Sequence, residues 1–288
     1  MNLSFGKVFP RKNSQIIDLD EKLSISNEKH NFDGEDLRRR QHTFGISLED
    51  LELILHPMAE DAKEATGSMG DDTPAAVLSD RHRPLSHFFR QNFSQVTNPP
   101  IDSLRENEVM SLKTRFGNLG NILDLENLTK DNIHVLESPI LSNSQFEKFT
   151  VFFKDNLKVL DCTFDVQNNL KKRLDQLCSE AEITVREGCK HLILSDKKIS
   201  EKKTAIPMIL ALGAINSKLV NLGIRGFVSI NVQTGEVLDT HSFAVLLGIG
   251  ATIINPYLVF DSIYQRYEKK LFGKFSYEEC IQRYIKSV

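Results

Sequence analysis

Residues 241–257 of the chain read HSFAVLLGIGATIINPY. The segment from Ser242 to Phe260 contains no acidic or basic residue, and its length approaches that of a membrane-spanning helix. However, Gly248 and Gly250 interrupt the apolar run, and Thr252 to Ile254 is a β-branched segment. The stretch therefore predicts a helix, a turn and a buried strand of a soluble protein.

The same alternation of strand and helix extends back through the C-terminal half of the chain. Short apolar runs predict further strands at 159–164, 191–194 and 226–230. Helical periodicity occupies 170–186, 205–222 and 241–247. Strands and helices that alternate at roughly 25 to 35 residues favour right-handed crossovers and a parallel sheet. We therefore predict an α/β fold in which residues 151–288 form about four β/α units, resembling a degenerate half of an eight-unit barrel.

The N-terminal half has a different organisation. Residues 1–36 are polar and aperiodic, which favours an extended or partly disordered leader. Residues 37–150 predict a mainly helical region. Its first long helix is capped by Ser47, and Pro57 is expected to break or restart that helix.

Two more helices are predicted in this region from their first residues. One begins at Pro84 and presents an apolar face made of Leu85, Phe88, Phe89 and Phe93. The other is capped by Ser103 and Glu106, which fit a capping box. We expect this second helix to run towards Phe116 and to end at Gly117 and Gly120.

Composition and charge narrow the classes of function. The 288 residues carry a formal net charge of -3, so the chain lacks the basic surplus typical of nucleic-acid-binding proteins. Its four cysteines form no C-x-x-C pair, and their spacing suits neither a zinc site nor an iron–sulfur cluster. The N-terminus lacks the apolar core of a signal peptide. We expect a cytoplasmic protein with free thiols and with neither nucleic-acid nor membrane partners.

Polar residues stand at or just after the predicted strand ends: Asp165, Ser195, Asp196, Asn231 and Asn255. Ligands bind at this edge in parallel α/β folds, so Asp165, Asp196, Asn231 and Asn255 predict a ligand-binding rim. The alternative is that these residues only cap the helices that follow. No strand leads into a glycine-rich phosphate loop, and the paired carboxylates of Asp71 and Asp72 lack a third acidic ligand. No metal site is predicted.

Two other segments have a distinctive sequence: PLSHFFRQNFSQVTNPPIDSLRENEVMSLKTRFGNLG at 84–120 and LEDLELILHPMAEDAKEATGSMGDDTP at 48–74. Together with residues 241–257 they resemble the central region of the glutamate synthase large subunit. The likeness runs in the same order from Leu37 to Val288, whereas the leader diverges. Residues 37–288 would then form one central domain, for which the resemblance implies a degenerate β/α barrel.

The resemblance also implies a position between two catalytic domains. In this family a glutamine amidotransferase domain releases ammonia, which passes through a tunnel to a synthase domain. There FMN and a 3Fe-4S cluster support the formation of glutamate from 2-oxoglutarate. Thr97 and Asn98 correspond to a pair that lines the tunnel mouth, where Pro99 and Pro100 would fix the backbone. The alternative is that Thr97 and Asn98 only terminate the preceding helix.

The resemblance assigns no catalytic residue and no cofactor to the chain itself, so we expect the isolated chain to be inactive. An N-terminal nucleophile amidotransferase needs a cysteine at its processed N-terminus, and here Asn2 follows Met1. The expected partners are the amidotransferase domain, the FMN-binding synthase domain and a small NADPH-oxidising subunit. Two alternatives stay open: a split-gene product that assembles with separately encoded domains, and a free-standing half-barrel that binds a small anionic metabolite.

Overall fold

The computed structural model describes residues 16–25, 28–65, 76–78, 83–89, 101, 105, 109–116 and 133–288. Within these residues the strands are β1 (Ile16–Asp18), β2 (Thr114–Phe116), β3 (Ile133–Leu136), β4 (Leu157–Asp161), β5 (Thr163–Asp165), β6 (His191–Ser195), β7 (Lys203–Ala205), β8 (Ser229–Gln233) and β9 (Ile253–Asn255). The α-helices are α1 (Gly34–Thr43), α2 (Leu48–Asp50, continued through Leu51–Leu55 to His56–Asp61), α3 (Asn143–Phe152), α4 (Leu170–Arg186), α5 (Met208–Asn221), α6 (Thr240–Ile249), α7 (Tyr257–Glu268) and α8 (Tyr277–Ser287).

Strands β4, β6, β8 and β9 form one parallel sheet and lie side by side in their order along the chain. The crossovers between them contain helices α4, α5 and α6. Consecutive strands that are neighbours, each followed by a helix, are the repeating unit of a β/α barrel. The predicted α/β fold with about four β/α units is therefore confirmed.

The segment quoted first, residues 241–257, contains most of α6, then a turn, then β9. Gly250 ends α6 with a φ of 127°, a backbone conformation that side-chain-bearing residues rarely adopt. Nowhere in the described part of the chain is there a helix both long enough and apolar enough to cross a membrane. The interpretation of this segment as helix, turn and strand is confirmed.

The strand predicted at 159–164 is divided in the structure. β4 ends at Asp161, and β5 leaves the main sheet to pair antiparallel with β7. Cys162 joins the two sheets, because its N–H donates to the Ser195 carbonyl at 2.8 Å and its carbonyl accepts from Ile206 N–H at 2.8 Å. The same apolar run could form one strand of a single sheet or two short strands of separate sheets, so the sequence pattern does not reveal this division.

The helix predicted to run towards Phe116 is wrong at its C-terminal end. Thr114–Phe116 is strand β2, which pairs antiparallel with β3 while β1 pairs parallel with β3 on its other side. A capping signal is local, whereas β2 is specified by a partner that lies further along the chain. Ser103, Glu106, Gly117 and Gly120 lie outside the described residues.

The helix predicted from Pro84 is also shorter than expected. Leu85–Phe88 forms one turn of 3-10 helix, and the backbone of Phe89 is extended. The side chains of Phe88 and Phe89 are 57% and 42% exposed, so they do not form a buried apolar face. Leu85 packs against the main core, and Phe93 lies outside the described residues.

Pro57 restarts the helix that Ser47 begins. The Ser47 hydroxyl accepts from Asp50 N–H at 3.1 Å, and Ser47 N–H donates to the Asp50 carboxylate at 2.8 Å, so the predicted cap is confirmed. The helix then widens into a π-helical turn at Leu51–Leu55 and continues as His56–Asp61. The wider turn lets the helix pass a residue that cannot donate a backbone hydrogen bond.

The described part of the leader contains strand β1, a turn at residues 20–23 and the start of α1, and it packs against the sheet. Leu19 and Leu23 are buried in an apolar cluster with Phe149 of α3, Ile193 of β6 and Ile253 of β9. A larger cluster lies among the sheet and helices α4 to α8. The division expected between residues 150 and 151 falls inside α3, which contributes to the core of the sheet region.

Candidate functional site

The carboxyl ends of β6, β8 and β9 meet at one edge of the parallel sheet. Ser195, Gln233 and Asn255 lie opposite one another in the strand register. The Ser195 hydroxyl donates to the side-chain carbonyl of Gln233 at 2.9 Å. The side-chain amide of Gln233 in turn donates to the side-chain carbonyl of Asn255 at 3.2 Å. A row of hydrogen bonds thus crosses three strands at the edge where α/β proteins usually bind ligands.

Asp196 follows β6 and is fully buried at this edge. Its carboxylate accepts a hydrogen bond from the Thr234 hydroxyl and from Gly235 N–H, the latter at 3.2 Å. Burial raises the pKa of Asp196 to about 6, although the hydrogen bonds from Thr234 and Gly235 and the nearby Arg40 guanidinium act in the opposite direction. The Tyr257 side chain lies beside this carboxylate, and its pKa is raised by burial and by the negative charge of Asp196.

Residues 31–44 cover this edge of the sheet. The Arg40 guanidinium lies 3.5 Å from the ring centroid of Phe32 and donates to the Lys197 carbonyl at 3.0 Å. Phe44 packs with Tyr257 in a small apolar cluster. Its ring lies so close to Gly235 that an added Cβ atom there would be 2.5 Å from the ring. The chain therefore covers its own sheet edge with aromatic and cationic side chains.

Asp261 of α7 fixes the start of this covering segment. Its buried carboxylate accepts from Asn31 N–H at 2.9 Å, from Phe32 N–H at 3.2 Å and from the Asn143 side-chain amide at 3.0 Å. Burial raises the pKa of Asp261 to about 7, whereas the hydrogen bonds from Asn31 and Phe32 and the charge of Lys197 lower it. Three segments that are distant in the sequence are thereby tied to one carboxylate.

Of the four predicted rim residues, Asp196 and Asn255 lie at this edge. Asn231 lies in the middle of β8, opposite Ile193 of β6 and Ile253 of β9, because the strand continues to Gln233. Asp196, Asn231 and Asn255 are fully buried, while Asp165 lies exposed in the β5–β7 pair, where the Asn168 amide donates to it at 3.2 Å. The side-chain amides of Asn231 and Asn255 donate to the carbonyls of residues 192 and 141. The donors of both amides are thus bonded to the chain itself, whereas the Oδ1 atom of Asn231 is buried with no partner among the described residues. A ligand role for these residues stays a prediction. Thr97 and Asn98 lie outside the described residues.

The sequence analysis missed Arg40, Glu236, Tyr257 and Asp261. Glu236 accepts from Met208 N–H at 3.1 Å at the start of α5, and burial with the nearby Asp196 raises its pKa to about 8. One signal was available for Asp261, because it is the first charged residue after the long uncharged run. Within the described ranges, no group of three His, Cys, Asp or Glu side chains is placed to hold a metal ion.

We expect Gly235→Ala to destabilise the protein by about 1–3 kcal/mol, because the new Cβ atom forces Phe44 away from the sheet edge. Urea unfolding measures the effect. Gly248→Ala is the matched control, since a Cβ atom there meets nothing within 4 Å and alanine favours the helix by up to about 1 kcal/mol. Equal stability of the two variants would show that Phe44 does not seal the edge.

Comparison with known proteins identifies the family. A family model described as the glutamate synthase central domain matches residues 39–288. The chain belongs to the glutamate synthase central-domain family. The matched range of this central domain includes Arg40, Asp196, Asn255 and Asp261, while Asn31 and Phe32 lie before it.

Relatives of this central domain are large glutamate synthase chains. The glutamate synthase (NADPH) large chain of Azospirillum brasilense is 51% identical over 268 residues, which cover 92% of this chain and 18% of that protein. The corresponding chain of Bacillus subtilis is 40% identical over 253 residues, 88% of this chain and 16% of that protein. The chloroplastic ferredoxin-dependent glutamate synthase of Oryza sativa is 41% identical over 239 residues, 81% of this chain and 15% of that protein. The chain thus spans less than one fifth of the length of these relatives.

Proposed function

We propose that this central domain is a scaffold that shapes an ammonia tunnel between a glutaminase site and an FMN-containing synthase site. The observation that carries the proposal is the family match over residues 39–288, combined with relatives whose chains are more than five times as long. A domain that spans less than one fifth of such chains suits a structural role between active sites. In this proposal it contributes no catalytic group of its own.

The covered sheet edge supports a scaffolding role. Parallel α/β proteins that bind substrates leave the carboxyl edge of the sheet open. Here Asp261 holds the start of the covering segment, Asp196 holds the backbone at Gly235, and Phe44 fills the space beside Gly235. A rigid body of this kind can keep two neighbouring domains at a fixed separation, as a tunnel requires.

The tunnel itself is assigned to Thr97 and Asn98. A hydroxyl and a neutral amide can form hydrogen bonds with ammonia without giving it a proton, so ammonia stays neutral and passes on. Pro99 and Pro100 restrict the backbone on the C-terminal side of this pair. The conduit therefore needs no acid or base from this domain.

The reaction of the whole enzyme, in this proposal, converts L-glutamine, 2-oxoglutarate and a reductant into two molecules of L-glutamate. FMN and a 3Fe-4S cluster belong to the adjoining synthase domain, and a small subunit oxidises NADPH. The identity to the NADPH-type chain of Azospirillum brasilense favours NADPH as the donor. The four free cysteines suit a reducing compartment, and we assign the protein to the cytoplasm.

Thr97→Val combined with Asn98→Leu, made in the complete enzyme, tests the tunnel. We expect glutamine-dependent glutamate formation to fall at least about tenfold, which corresponds to about 1.4 kcal/mol of lost transition-state stabilisation. Glutamine hydrolysis and glutamate formation from added ammonia should persist, and free ammonia should accumulate. Steady-state assays of the three reactions measure these outcomes.

Two controls make this test specific. Thr184→Val removes a threonine hydroxyl from the surface helix α4 and should leave all three reactions unchanged. The 288-residue chain alone should show neither flavin absorbance nor glutamine-dependent NADPH oxidation. Unchanged coupling of the two half-reactions in the double variant would refute the tunnel role, and turnover by the isolated chain would refute the scaffold.

A further inference from the structure

A cavity of about 450 Å³ lies at the opposite, amino edge of the parallel sheet. Residues just before or at the start of three strands contribute to it: Lys190 and His191 at β6, Val228 and Ser229 at β8, and Thr252 before β9. Strands β2 and β3 and the end of α3 complete the wall. Small-molecule sites in proteins have volumes of about 300–1,000 Å³, so the cavity has the size of a ligand pocket.

The charged groups of the cavity are of one sign. Arg115, Lys190 and Arg225 line it together with His134 and His191, and among the described residues that line it none is aspartate or glutamate. Within the described lining, no carboxylate offsets the charges of Arg115 and Arg225. Such a cluster attracts an anion, because opposite charges at short range and reduced solvation interact strongly.

Arg225 is held in a fixed position by neutral groups. Its guanidinium donates to the Asn216 side chain at 2.6 Å, to the Val228 carbonyl at 2.6 Å and to the Gly250 carbonyl at 2.8 Å. These acceptors orient the guanidinium without cancelling its charge. A cation that is positioned before binding loses less conformational entropy when an anion arrives.

Aromatic rings form the other part of the wall. Phe152 and Phe227 are 43% and 45% exposed and both line the cavity. Deeper in the wall lies the buried ring of His191, whose centroid is 4.1 Å from that of the Phe153 ring. The Nδ1 atom of His191 is buried without a hydrogen-bond partner among the described residues. The cavity thus offers planar apolar surfaces, with a buried polar atom that has no described partner behind them.

We propose that this cavity binds a small organic anion that combines one carboxylate or phosphate group with a planar apolar part. The anionic group contacts Arg115 and Arg225, and the planar part lies against Phe152 and Phe227. Arginine is suited to this contact because its guanidinium can form two parallel hydrogen bonds to a carboxylate or a phosphate. The inference rests on residues other than Thr97 and Asn98 and does not depend on the tunnel proposal.

Phenyl phosphate and benzoate are the two probes that test this inference on the 288-residue chain. Calorimetric titration should give a Kd below about 1 mM for at least one of them, equivalent to about -4 kcal/mol. The tighter of the two identifies the anionic group. Inorganic phosphate and phenol each supply only one half of the ligand and should bind at least about tenfold more weakly. Failure of both probes to bind, or equal binding by phenol, would overturn the proposal.

Two variants locate the binding site. A Cβ atom at Gly226 meets nothing within 4 Å, so Gly226→Glu places a carboxylate against the cavity without a clash and should weaken binding by more than about tenfold. Arg115→Ala removes an exposed cation and should weaken binding by about fivefold. Arg38→Ala, an equally exposed arginine on α1 away from the cavity, should leave the Kd unchanged. Unchanged Kd values in both cavity variants would place the ligand elsewhere and refute the inference.

Discussion

Asp196→Ala is expected to lower the free energy of unfolding by about 3–5 kcal/mol at neutral pH. The carboxylate is fully buried, and it accepts from the Thr234 hydroxyl and from Gly235 N–H. Removing it leaves both donors buried without an acceptor and opens a space beside Tyr257. Buried donors that lose a charged partner account for most of the loss, since each such bond is worth about 1.5–3 kcal/mol.

Denaturant titration of the 288-residue chain measures this change. Asp165→Ala is the matched control, because Asp165 is exposed on the β5–β7 pair and its replacement should alter stability by no more than about 0.5 kcal/mol. Asp196→Asn keeps the volume and one acceptor oxygen and should fall between the two. Equal stability of Asp196→Ala and Asp165→Ala would show that the hydrogen bonds of Asp196 to Thr234 and Gly235 do not stabilise this edge of the sheet.

His191→Phe is expected to change how stability depends on pH. Burial, together with the nearby His134 and Lys190, lowers the pKa of His191 to about 3, from about 6.5 in the unfolded chain. The folded state therefore keeps His191 neutral where the unfolded state protonates it. The contribution of neutral His191 to the free energy of unfolding is therefore fully present above about pH 6.5, and it is lost progressively as the pH falls towards about 3.

The size of this effect follows from the linkage between protonation and folding. Each unit of pH below the unfolded pKa removes about 1.4 kcal/mol, so about 3 kcal/mol is lost between about pH 6.5 and about pH 4.5. The difference in unfolding free energy between the parent and His191→Phe should change by that amount over this interval. Urea titrations at four or five pH values measure the difference.

Comparison with a variant is needed because buried carboxylates produce the opposite trend. The pKa of Asp261 is raised to about 7 and that of Glu236 to about 8, mainly by burial. The contribution of these two carboxyl groups to the free energy of unfolding is fully present below about pH 4, and it is lost as the pH rises through their pKa values. This contribution is common to the parent and to His191→Phe, so it cancels in the difference.

A packing control separates protonation from the loss of ring contacts. Phe153→Leu disturbs the same aromatic cluster, in which the Phe153 and His191 rings lie 4.1 Å apart, but removes no titratable group. It should lower stability by a similar amount at every pH. A difference between the parent and His191→Phe that stays constant from pH 7 to pH 4.5 would contradict the explanation.

The C-terminal half of the fold could be predicted because its signals are local. Each parallel strand is a short apolar run bounded by turn residues, and each crossover helix carries its own periodicity. Asp196 and Asn255 were placed at one edge for the same reason, since position within a strand fixes the edge. Asn231 was expected at that edge too, but it lies in the middle of β8, which continues to Gln233. Asp165 was misplaced because β5 leaves the main sheet after Cys162, which depends on pairing with β7.

The rest of the site could not be predicted because its contacts are distant in sequence. Asn31 and Asp261, for example, are separated by 230 residues and meet through two hydrogen bonds. The strand at Thr114–Phe116 likewise depends on β3. Composition and periodicity describe each segment alone, so they identify neither partner. The one local sign that could have indicated Asp261 is its place as the first charged residue after a long uncharged run.

The attachment of residues 31 and 32 to Asp261 has a consequence for biosynthesis. A ribosome makes the chain from its N-terminus, so the segment around Asn31 emerges long before its acceptor on α7. Contacts between such distant residues form slowly because a large loop must close first. During translation Phe32 and Phe44 therefore stay exposed until β9 and α7 have left the exit tunnel of the ribosome. This part of the nascent chain is a natural target for a chaperone.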